Sequence, residues 1–219
     1  MHNALLMAFF LLATGCGTAP SHTPSTHQHS FSDAERWAQV FDDPARDAWQ
    51  KPDEVLKALA LPPDAIVADI GAGTGYFSAR LAAQLPRGHV YAADVELSMV
   101  RHLAERAARE NLRNLVPVHA QVDTPGLPTK ADLVLLVDTY HHLEGRERYF
   151  RGLRELLTPT GRVAIIDFRG DSPIGPPKHL RMAQAQVEAE MAAAGYVVVA
   201  RHDFLPRQYF LVFRPATAK

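Results

Sequence analysis

Val67-Ala68-Asp69-Ile70-Gly71-Ala72-Gly73-Thr74-Gly75-Tyr76 runs from an apolar segment through three glycines at alternate positions into a helical pattern. A strand, a glycine turn and a helix in that order put the loop at the carboxyl edge of an open α/β sheet, where such folds bind ligands. Glycines let the backbone turn tightly and let a ligand approach with no Cβ in the way. Two details choose between ligands. A dinucleotide loop, G-x-G-x-x-G/A, needs a small residue where this chain has Tyr76. Asp69 stands two residues before the first glycine, where its charge would repel a pyrophosphate and attract a cationic amino group. The loop therefore points away from NAD and toward a cofactor with no phosphate and a positive charge.

Working outward, strand-like runs fall at 66–70, 90–94, 115–119, 133–138 and 162–168. Helical patterns lie between them at about 75–85, 97–110 and 146–157, and another follows at 178–194. Continuous apolar strands such as Leu133-Val134-Leu135-Leu136-Val137 read as buried on both faces of a parallel sheet. The chain then departs from the alternation: 196–205 and 208–213 are strands joined only by Pro206-Arg207, so they must pair antiparallel. The fold class is α/β, a doubly wound, mostly parallel seven-stranded sheet with an antiparallel C-terminal hairpin. A capping box at Ser32-Asp33-Ala34-Glu35 opens a short helix to about Phe41. Helical stretches near 45–49 and from Pro52 to before Pro62-Pro63 precede the first strand. Asp94 closes the second strand, nineteen positions after Gly75, where an acid can accept ribose hydroxyls.

On D-I-G-A-G-T-G-Y-F (69–77), Asp94, and D-L-V-L-L-V-D-T-Y-H-H-L (132–143), the chain from about Arg46 to Phe213 resembles the class I S-adenosylmethionine-dependent methyltransferases. That resemblance implies S-adenosyl-L-methionine as cofactor; it does not name the methyl acceptor, for which a small molecule is the expectation. It places Gly71, Ala72, Gly73 and Gly75 along the methionine part, with Asp69 supporting its amino group. It gives the ribose to Asp94, the adenine surroundings to Val95 and Met99, and the adenine amino group to Asp123. Asp138, Thr139, Tyr140, His141 and His142 then face the methyl group. His141 and His142 are candidate bases, because histidine is the side chain best poised to take a proton near neutral pH. Arg46, Asp47, Trp49, Gln50 and Lys51 are expected to cap the pocket, and the irregular stretch 169–178 is a candidate substrate lid. A protein of the same fold that binds the cofactor without catalysis is the alternative, since fold does not guarantee activity.

The N-terminus has a different character. An apolar run, 4–13, ends in Thr14-Gly15-Cys16, which holds the chain's single cysteine. The run is too short to cross a bilayer as a mature helix and has the layout of a secretory signal. It resembles a bacterial lipoprotein signal, which implies lipidation of Cys16 and attachment to the membrane on the periplasmic side. The protein would be cytoplasmic if the signal is not used. Residues 17–31, rich in Ser, Thr, Pro and His, read as a flexible linker to a domain at 32–215. His22, His27 and His29 sit in that linker without a scaffold to fix metal geometry, so no metal site is expected. With one cysteine no disulfide framework forms. The net charge of −1 and the lack of a basic stripe argue against a nucleic-acid partner.

Overall fold

The structure, a computed structural model, describes residues 33–217. Cys16, the linker and its three histidines lie outside the described residues. Helices α1 (Ala34–Phe41), α2 (Asp47–Gln50) and α3 (Pro52–Leu59) precede β1 (Ile66–Ile70). Then follow α4 (Tyr76–Gln84), β2 (His89–Asp94), α5 (Leu97–Arg109), β3 (Leu115–His119), β4 (Ala131–Val137), α6 (Arg146–Leu153) and β5 (Leu157–Phe168). Helix α7 (Gln184–Ala193) leads into β6 (Tyr196–His202) and β7 (Gln208–Pro215). No helix among the described residues is long and apolar enough to cross a membrane.

The sheet runs β3-β2-β1-β4-β5-β7-β6. The first five strands are parallel. Strand β7 inserts antiparallel between β5 and β6, as the terminal hairpin required. Period-two side-chain direction explains why apolar strands hold the centre. On β4, Leu133, Leu135 and Val137 enter one core, with α3, α4 and Leu103 of α5. Val134 and Leu136 enter the other, with α6 and α7. Chain order reverses between β1 and β4, and at such a switch point the flanking loops part to leave a crevice.

Four sequence expectations are corrected locally. The cap of α1 is Asp33, whose carboxylate accepts the Arg36 amide at 3.0 Å. Strand β5 begins at Leu157 because that residue still pairs Ala131 across a register shift. Strand β6 stops at His202, since Phe204 and Leu205 turn into the first core before β7 starts. The last helix begins at Gln184 rather than 178, because Arg181 is drawn aside. Its guanidinium donates to the carbonyls of Pro176 (2.8 Å), Ser172 (2.6 Å) and Gly170 (3.4 Å). Arg181 thus holds the irregular stretch before it together, and Arg169 fastens its start to the carbonyls of Leu205 and Pro206.

Candidate active site

The glycine loop lies at the switch point, and its three glycines serve different ends. Gly71 has φ +69°, and a Cβ there would stand 2.5 Å from the Thr139 side chain, which follows β4. Gly75, with φ +89°, opens α4, and a Cβ would come 2.7 Å from Leu103 of α5. These two allow close packing beneath the loop. Gly73 is the one whose missing side chain faces outward, with the Phe41 ring at 3.5 Å from the position of a Cβ. The amides of Gly71 and Ala72 both donate to the Ala93 carbonyl at 2.8 and 3.1 Å, which fixes the loop against β2.

Three of the expected carboxylates gather at this edge. Asp94 is buried and accepts the amides of Gly73 and Glu96, each at 2.9 Å, one on each oxygen. Each oxygen keeps a second lone pair for a diol. Burial pushes its carboxyl above the usual range. Asp69 sits beneath the loop, facing α4, where Ser78 donates to it at 2.5 Å. Burial pushes it up to about 6; the Ser78 bond opposes the shift and the Asp94 charge adds to it. Asp138, just past β4, takes the left-handed conformation (φ +55°), which aspartate tolerates better than most residues. Its carboxylate accepts from Gln208 and lies 3.5 Å from Arg46. Burial, set against the Arg46 charge, raises Asp138 as well.

The helices before β1 close over this edge. Arg46 donates to the Phe41 carbonyl (2.9 Å) and to Gln50 (2.8 Å), pairs with Asp138, and lies 4.1 Å over the Tyr76 ring. Arg80 stacks at the same distance from that ring, and the Tyr76 hydroxyl donates to Asp47. The residue that breaks the dinucleotide pattern is therefore the one that docks α2. Gln50, fully buried, donates to Gln208 at 2.9 Å, and Trp49 packs 5.6 Å from Phe168. At the other end Arg106 and Thr74 both donate to Asp42, the residue that ends α1.

The remaining sequence candidates are distributed as follows. Val95 is 47% exposed beside Asp94, while Met99 is buried in α5. Asp123 is exposed in the turn closed by Gln121 and Thr124, near Tyr149. Tyr140 points away from the loop, its hydroxyl donating to Glu190 at 2.7 Å. His142 is exposed. His141 is held from both backbone and ring by Asp167, the penultimate residue of β5. Sequence reading passed over Asp167. Its signal was an acid inside Val163-Ala164-Ile165-Ile166-Asp167-Phe168, a strand where a charge needs a partner. Gln208, Ser78 and Asp42 were missed as well, and nothing local in the sequence marks them.

An edge with three clustered carboxylates raised by burial, one of which keeps lone pairs for a diol, suits a cationic nucleoside and repels a pyrophosphate. Residues 68–163 match the family model described as a methyltransferase domain. A methyltransferase of Mycobacterium bovis whose function is uncharacterised is 32% identical over 117 residues, 53% of this chain and 57% of that protein. A malonyl-[acyl-carrier protein] O-methyltransferase of Methylococcus capsulatus is 32% identical over 58% of this chain and 44% of its own length. The chain thus spans about half the length of these curated methyltransferases, 57% of the first and 44% of the second. Among solved structures, an S-adenosylmethionine-dependent methyltransferase of Aquifex aeolicus superposes with a TM-score of 0.76 at 24% identity, over 83% of this chain and 97% of that one. The fold is the Rossmann-like methyltransferase fold, and the match begins inside β1 and ends inside β5.

Proposed function

We propose that this chain transfers a methyl group from S-adenosylmethionine to a small molecule. The observation that carries the proposal is the joint placement of Asp94 and the Gly71–Gly75 loop at the switch point. There the Asp94 oxygens, each already bonded to one backbone amide, keep lone pairs for the two ribose hydroxyls. The family match over 68–163 supports the same reading. Bound there, the cofactor supplies an electrophilic methyl group with its leaving group attached. The protein's part is to align the acceptor and exclude water, and α1 and α2 across the edge suit that task. Calorimetric titration with S-adenosylmethionine and with NAD tests the proposal, which requires binding of the first and none of the second.

We also infer from residues 4–16 that the domain works at the cell envelope, tethered through a lipidated Cys16. The cofactor is made in the cytosol, so an exported domain would have to receive it from there.

A further inference from the structure

We infer that Arg207, stacked on Trp49, is the subsite for an anionic group of the methyl acceptor, so that the acceptor carries a carboxylate or a phosphate. This rests on the methyl-transfer reading above and adds the acceptor's charge to it.

The position follows from strand register. Gln208, at the start of β7, pairs with Phe168 at the end of β5, and the Asp138 amide donates to the Ile166 carbonyl of the same strand. Strand β7 runs against the parallel strands, so its first residue and the turn before it stand at their carboxyl edge. Across that edge come Asp94 of β2, the glycine loop after β1, Asp138 after β4, Phe168 of β5, and then Arg207. The cofactor residues hold the β2–β1 side. Arg207 therefore stands on the other side of Asp138, two strand spacings or about 10 Å from β4. A one-ring acceptor and the arginine side chain together span that distance.

The turn that carries Arg207 is fixed from below. The Arg169 amide donates to the Arg207 carbonyl at 3.1 Å, and the Arg169 guanidinium donates to the carbonyls of Leu205 (3.3 Å) and Pro206. From α2, the Trp49 ring centre comes within 5.5 Å of the Arg207 guanidinium carbon and packs 5.6 Å from the Phe168 ring. Stacking of this kind holds a guanidinium flat and leaves its N–H edge to donate in a fork, which suits two oxygens of one oxyanion.

Charge singles out this arginine. Its cationic neighbours are already committed: Arg46, 6.0 Å from the same ring, pairs with Asp138, and Arg169 reaches Asp171 as well as the two carbonyls. Among the described residues no carboxylate pairs with Arg207, Asp203 at the other end of the turn included. The side chain is half-buried, and a charge withdrawn from water calls for a counter-ion. The edge is thus dipolar, with three carboxylates toward the cofactor side and an uncommitted cation beyond them. An anionic acceptor completes Arg207 and is also drawn toward the cofactor's sulfonium, whereas a neutral one does neither.

The test is calorimetric titration of the full chain, saturated with S-adenosylhomocysteine, with benzoate, phenyl phosphate and neutral benzyl alcohol as probes. At least one of the two anions should bind, and which of them binds tells a carboxylate subsite from a phosphate one. Benzyl alcohol should bind at least about tenfold more weakly, as expected when a charge-assisted bond is lost. Arg207→Gln should weaken the anion by a similar factor, and Arg207→Lys, which keeps the charge but not the fork, by less. Arg148→Gln, which changes an exposed arginine of α6, is the control and should leave the anion's affinity as it is. No saturable binding of either anion, equal binding of benzyl alcohol, or equal anion affinity in Arg207→Gln would overturn the inference. Should that variant not fold, the comparison of charged and neutral probes on the wild type still decides. Binding of S-adenosylhomocysteine is measured first. Its absence in the wild type would overturn the methyl-transfer reading and this inference with it, whereas failure of the anions alone leaves that reading standing.

Discussion

Asp69 shows how one side chain ties folding to ligand chemistry. Unfolded, its carboxyl titrates near 3.8; folded, burial holds it at about 6. The ligand-free fold therefore binds more protons than the unfolded chain between those values. This group accordingly lowers stability as pH rises from 4 to 6, and its effect is constant above that. A bound cation reverses the preference by favouring the ionised form. Binding should then release protons, and affinity for S-adenosylmethionine should increase from pH 5 to about pH 7 and level off beyond. Calorimetry in two buffers of different ionisation enthalpy measures this, and proton uptake on binding would refute the cationic-ligand account. Asp69 and Asp94 could be picked out from sequence because each sits at a fixed offset from the glycines. Asp167 could not, because its partner is 26 residues away and the two meet only when β4 and β5 pair.

At the scale of elements, the loop depends on what lies under it as much as on what it binds. A Cβ at Gly71 would meet both Thr139 and an unfavourable φ, so Gly71→Ala should cost about 1–3 kcal/mol of stability or more. Gly152, inside α6 with nothing within 4 Å of an added Cβ, is the control. Gly152→Ala should gain about 0.4–1 kcal/mol by reducing unfolded-state freedom. Denaturant unfolding of both variants checks the pair; equal stabilities would mean that the Thr139 contact yields freely. Element types were legible because apolar periods of 2 and 3.6 differ plainly. Boundaries were less so, because side-chain bonds and strand pairing outside the local period set several of them. Arg181 reaches back to three loop carbonyls, and Leu157 extends β5 by pairing with Ala131. Propensity has no access to such contacts. The place of α2 over the sheet edge was foreseen, but its fastening through Tyr76 and Gln50, and the fastening of α1 through Asp42, were not.

At the scale of the molecule, the sheet and its closing hairpin were readable from element order, since a two-strand end cannot join a parallel sheet without reversing direction. Residues before the described domain bring in a second property, its place in the cell. If Cys16 is lipidated, a metabolically supplied fatty-acid analogue should label the wild type and not Cys16→Ser. An unlabelled wild type retaining Met1 by mass spectrometry would remove the anchor from the account. The central claim concerns the cofactor edge, and the most direct measurement is calorimetric titration of wild type and Asp94→Ala with S-adenosylmethionine at pH 7.5. Asp94 is expected to make two charge-assisted bonds to the ribose, each worth roughly 1.5–3 kcal/mol, so the variant should bind at least about tenfold more weakly. NAD should give no heat of binding to either protein. Binding of NAD by the wild type, no binding of S-adenosylmethionine, or equal affinity in the folded Asp94→Ala variant would contradict the account.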